Sequence, residues 1–137
     1  MFFKNKEDKQ KNELAKVAAL LIHTAKIDEN FSEKEEIIIK KTISDLGAKK
    51  EDIEKILNEG KKIENNTNQI LDFTKKVKNM NEFEKIKIIE SLWRIIYSNE
   101  EADIYETNLM RRLAGLLYID SNIMGSIKEK IKKENIK

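Results

Sequence analysis

Proline is absent from all 137 residues, and glycine occurs only four times. These are the two residues that most readily end or bend a helix. A chain that avoids both, and whose apolar residues recur every three to four positions, is read as all-α. Hydrophobic residues make up 39% and charged residues 38%, enough for one core inside a heavily charged shell. The length suits one domain. The expected architecture is therefore a compact single-domain bundle of about seven helices spanning residues 1–137, with its core at about 12–132.

The periodicity places a first helix at about Lys6 to Lys26, with Leu14, Val17, Ala18, Leu21, Ile22 and Ala25 on one stripe and His23 opposite it. A second follows Ser32, with Ile37, Ile38, Thr42, Ile43 and Leu46 inward, and stops at Gly47. A third covers about Glu51 to Lys62 and a short fourth about Gln69 to Lys78. The fifth, from Asn81 to Ser98, is apolar round most of its circumference, from Phe83 through Trp93 to Tyr97, and is read as the central buried helix. A sixth begins after Asp103 and a seventh near Ser121.

Formal net charge is +2, from 27 basic and 25 acidic residues, so nothing marks a nucleic-acid surface. The absence of cysteine excludes disulfides, thiolate metal sites and a cysteine nucleophile, and suits a reducing compartment. No apolar run reaches the roughly 18–20 residues of a membrane span or the roughly 7–15 of a signal-peptide core. A cytoplasmic protein without a transmembrane segment is expected.

The chain also repeats. Displaced by 71 residues, Leu21 falls on Leu92, Glu29 on Glu100, Glu35 on Glu106 and Leu46 on Leu117, and Lys40-Lys41 falls on Arg111-Arg112. Each unit, about 14–62 and 85–132, reads as helix, acidic corner, helix, further helix. The corners are "DENFSEKE" (28–35) and "NEEADIYE" (99–106). An internal two-fold repeat is expected.

The stretch from Leu92 to Asp120 resembles the second motif of TerB-like proteins, the tellurite resistance protein B family. Leu92-Trp93, Tyr105-Glu106 and Leu109-Met110-Arg111-Arg112 carry the resemblance, and "AKIDENFSEKE" (25–35) is similar to the family's first corner. The likeness covers roughly residues 14–130. It implies an all-α fold, an association with stress and tellurite resistance, suspected metal binding at the acidic corners and no established enzymatic activity. The corners depart from the family run, with Glu29 and Glu100 where glycine would stand and Asn99 for an aspartate.

Two readings of the corners compete. Ser32 with Glu35 and Asp103 with Glu106 both form capping boxes, and Asn81 with Glu84 repeats the arrangement away from either corner. The alternative is a hard-cation site shared by Asp28, Glu35, Glu101, Asp103 and Glu106, taking calcium or manganese. Asp28, Asn30 and Ser32 alternate as in an EF-hand loop, but Glu33 occupies the glycine position and Ile39 the terminal glutamate position, which excludes that loop. Beyond such a cation no cofactor is indicated. His23 is the sole histidine and reads as a solvated surface residue, and no catalytic set has usable spacing. Arg111 and Arg112 are candidates for contact with a protein partner.

The function expected from the sequence is a non-enzymatic, stress-associated binding or interaction module with weak divalent-cation binding at its corners. Two alternatives stand beside it: a small carboxylate-based metalloenzyme or hydrolase, and a ligand-free helical scaffold for a protein partner.

Overall fold

The apolar spacing becomes six α-helices among the described residues: α1 (Phe2–Ala25), α2 (Glu33–Asp45), α3 (Ile53–Asn66), α4 (Glu82–Tyr97), α5 (Ile104–Leu116) and α6 (Ser121–Ile136). A 3-10 turn, Lys50–Asp52, leads into α3. The computed structural model describes the backbone of residues 2–26, 33–66, 74–75, 77–97 and 104–136, and their side chains apart from 2–10, 104–107 and 135–136. No strand occurs among the described residues. Most of the expected fourth helix, about Gln69 to Lys78, lies outside them. Thr74, Lys75, Val77 and Lys78 are helical, and Val77 is buried in the core.

One hydrophobic cluster joins all six helices. The expected stripe of α1 is fully buried, but so are Ala15, Ala19 and Leu20, so α1 is enclosed on nearly every side from Leu14 onward. The central position expected for α4 is thus shared by two helices. Trp93 of α4 is only 2% exposed and stacks on Tyr97 with ring centroids 5.9 Å apart. Two expected core residues are on the surface instead: Ile37 is 65% exposed and Phe83 67%. On α2 the inward stripe is Glu35, Ile39, Thr42 and Ile43, and Ile37 lies about 200° round the helix from Ile39. Phe83 sits in the first turn of α4, ahead of the point where that helix becomes enclosed.

Ion pairs give the helix directions. Lys11 meets Asp52 near the start of α1 and α3, and His23 meets Glu64 near their ends, so these two helices run parallel. Lys40 to Glu54 and Lys61 to Glu36 place α2 antiparallel to α3. Glu90 to Lys130 and Arg94 to Glu134 set α4 parallel to α6. The α1–α3 contact is closest at Gly60, where an added Cβ would lie 2.8 Å from the Ala18 Cβ and 3.1 Å from the Ala15 carbonyl oxygen. Glycine there lets the two backbones approach.

The repeat governs the element boundaries. Moved by 71 residues, α2 (33–45) lands on α5 (104–116), and the turn starting at Lys50 lands on the start of α6 at Ser121. Even the helix stops agree. Ala48 N–H donates to the Ile43 carbonyl (3.1 Å) and Gly47 N–H to Ser44 (3.0 Å), a Schellman cap. In the second unit Ile119 donates to Ala114 (2.9 Å) and Tyr118 to Gly115 (3.4 Å). The left-handed residue of the first cap is Gly47, at φ 110°, and of the second Tyr118, at φ 56°.

Three substitutions test this packing by chemical denaturation. Gly60→Ala is expected to lose about 1–3 kcal/mol through overpacking, and Trp93→Ala about 3–5 kcal/mol. Tyr118→Gly relieves roughly 1–2 kcal/mol of left-handed strain. It also gives up an exposed cation–π contact with Lys78, whose Nζ is 4.7 Å from the ring centroid, worth about 0.5–1 kcal/mol. A net gain of up to about 1 kcal/mol is expected.

Candidate functional site

Three helix ends meet beside the first acidic corner: the C-termini of α1 and α3 and the N-terminus of α2. Asp28 and Ser32 lie outside the described residues, so the structure places only Glu35 of that corner's candidates. Glu35 is 1% exposed, in the first turn of α2, with Glu33 and Glu36 beside it in sequence. Three carboxylates in a first turn complement the positive end of the helix dipole. Of the second corner, Glu101 and Asp103 lie outside the described residues, and so does the side chain of Glu106. Whether the five candidate carboxylates converge therefore falls outside the description. Among the described residues, no group of three or more His, Asp or Glu side chains could hold a metal ion.

Cations accompany the acids that are placed. Lys26 Nζ donates to Glu64 Oε2 at 2.7 Å and to Asn65 Oδ1 at 3.0 Å. His23 Nδ1 is 3.5 Å from the other Glu64 oxygen, and Lys61 is 3.5 Å from Glu36. His23 is thus half-buried against α3 rather than solvated, because α3 covers the face opposite the stripe. The capping arrangement on α4 is explicit: Glu84 N–H donates to Asn81 Oδ1 at 2.8 Å. Arg111 and Arg112 are exposed on α5, and no ion pair engages them among the described residues.

The corresponding end of the second unit carries a network that sequence spacing did not single out. Arg94, equivalent to His23 by the shift of 71, donates through Nε and an Nη atom to the two Glu134 oxygens at 3.2 and 3.3 Å. Glu90, buried on the otherwise apolar α4, accepts from Lys130 at 2.9 Å. The hydrogen bond from Arg94 holds the Glu134 carboxyl below its ordinary range, and that from Lys40 does the same for Glu54. Burial, then the nearby Glu129, raises the Tyr97 hydroxyl. The signal that could have found this network is the repeat itself, since a basic or imidazole side chain at 23 and 94 faces an acid late in the third helix of each unit.

With that geometry in place, comparison with known families gives one finding: the family model described as tellurite resistance protein TerB matches residues 14–129. Comparison with curated proteins gives no match. Comparison with solved structures also gives none. No helix among the described residues is long and apolar enough to cross a membrane.

Two measurements check the electrostatics. Asn81→Ala is expected to cost about 1 kcal/mol through the lost cap. Glu134 has a folded-state pKa below its unfolded value, so the stability it adds is present above the ordinary carboxylate value near 4.3 and fades as pH falls through the lowered one. Glu134→Gln should therefore cost roughly 0.5 kcal/mol or less at pH 7, after solvent screening. The difference from wild type should vanish in melts near pH 3.

Proposed function

Because the chain belongs to the tellurite resistance protein TerB family, we propose that it works as a non-enzymatic interaction module of a stress response, and that its acidic corners cap helices first and bind divalent cations weakly second. The observation that carries the reading is the pairing of acids with cations. Around the first corner Glu64 is met by Lys26 and His23, and Glu36 by Lys61. A hard-cation site needs uncompensated oxygen ligands, and these neighbours offset the charge that would attract one. The cap bond at Asn81 supports capping as a use of the same sequence pattern elsewhere in the chain. The resolved carboxylate shifts, at Glu54 and Glu134, run downward under paired cations, the reverse of what a general acid requires. Arg111 and Arg112 remain the candidate contacts to a protein partner.

Calorimetric titration with calcium and with manganese tests this. Dissociation constants on the order of 10⁻⁴–10⁻³ M are expected, and Glu35→Ala and Glu106→Ala should each lower stability by roughly 0.5–1 kcal/mol in chelator-treated protein. Micromolar binding, or an effect of these substitutions seen only with metal added, would reverse the order of roles.

A further inference from the structure

The two units share a frame, so positions that differ between them mark what one unit does and the other does not. Each unit has a hollow where its first helix passes the turn after its second. In the first unit it measures about 40 Å³ and is walled by Leu14, Gly47, Ala48 and Asp52, with Lys11 at its edge. Leu14 is 4% exposed and packed into the core. In the second unit the equivalent hollow, at the α5–α6 turn, measures about 290 Å³.

The exchanges between the two run in one direction. Gly47 is replaced by Tyr118, Ala48 by Ile119 and Asp52 by Ile123, while next to the hollow the exposed Asn12 is replaced by Phe83. Lys85 stands where Leu14 would fill the space, and its Nζ donates to the Leu117 carbonyl instead (3.0 Å). Phe83 is 67% and Tyr118 72% exposed, and Tyr118 keeps its ring at a left-handed position where the first unit has glycine. A surface that turns apolar at four positions, one of them strained, is not explained by the fold, which the first unit builds without them.

We propose that this patch is a two-fold interface with a second copy of the chain, the Phe83 ring of each copy entering the hollow of the other between Tyr118, Ile119 and Ile123. The hollow is large enough, since an apolar cavity of about 150 Å³ already takes a benzene ring. The charges choose the occupant. Glu82, Glu84 and Asp120 are matched in number by Lys78, Lys85 and Lys87, so the patch favours neither an acidic nor a basic partner. A two-fold axis instead sets lysines of one copy against glutamates of the other. Lys87 lies over the Phe83 ring at 5.4 Å and Lys78 over Tyr118 at 4.7 Å, contacts that strengthen once water is excluded. Two rings and three part-buried isoleucines are fewer than the roughly 20 residues a side of a standard interface. The dimer is accordingly a reversible one, with a dissociation constant on the order of 10–100 μM.

Sedimentation of the full chain between about 1 μM and 1 mM reads this out, a range bracketing that constant. The wild type should shift from monomer to dimer across it. Phe83→Asn and Tyr118→Gly, which install the residues of the first unit, should each weaken association at least about tenfold with unchanged helical circular dichroism. Ile37→Asn, as exposed but on α2, should leave it unaltered. A wild type that stays monomeric at the highest concentration overturns the proposal. So does a dimer indifferent to Phe83→Asn and Tyr118→Gly, and so does one that Ile37→Asn disrupts.

Discussion

The parallel contact of α1 with α3 at Gly60 is the constraint on which the rest of the first unit rests. With Ala15, Ala18 and Ala19 facing a residue that has no side chain, the two backbones pack closely, and α1 becomes a helix enclosed on all sides rather than an amphipathic surface helix. That closeness brings His23 and Lys26 to Glu64 at the far end and Lys11 to Asp52 at the near end. In the second unit the position equivalent to Gly60 is Ile131, fully buried, facing Ile86, Ile89 and Glu90. The same pairing of helices is there filled by side chains and tied by ion pairs rather than by backbone proximity.

The units are joined by the core and by one polar contact. The Thr42 and Ser91 hydroxyls hydrogen-bond each other between α2 and α4, and each also lies within reach of a carbonyl of its own helix, Ile38 and Lys87 respectively. With one proton apiece they satisfy two of these three bonds at a time. A buried hydroxyl pair of this kind penalises any slippage of α2 along α4, because a shift would leave both groups unsatisfied in an apolar surround. The duplication thus yields a frame with matched helix boundaries and matched caps, while the surfaces of the two units have diverged.

Much of this was legible in advance. The shift of 71 residues, visible in charge and apolarity alone, carries the boundaries of α2 onto α5 and the Schellman stop at Gly47 onto Tyr118. Gly47 announced its own stop, but Tyr118 did not, because a tyrosine in the left-handed region is held there by the surrounding cap bonds and not by its own preference. The inward stripe of α2 was read one step round the helix from its true place, since three consecutive isoleucines, 37 to 39, leave the phase of a short helix ambiguous. The buried Glu90 was also silent, because a glutamate on an apolar helix reads the same whether it meets solvent or two cations from other parts of the fold.

The sequence by itself determined the helical class, the family and the doubled plan, because these follow from local quantities: the absence of breakers, the apolar period, the capping residues and a self-similarity that survives in residue type. Tertiary structure alone decided which face of each helix is covered, which acid meets which cation, and how the two equivalent hollows came to differ. Those outcomes depend on distances between residues far apart in the chain. A single missing Cβ at Gly60, or a lysine in place of a leucine at position 85, changes a distance or a volume without changing the local pattern that a sequence displays.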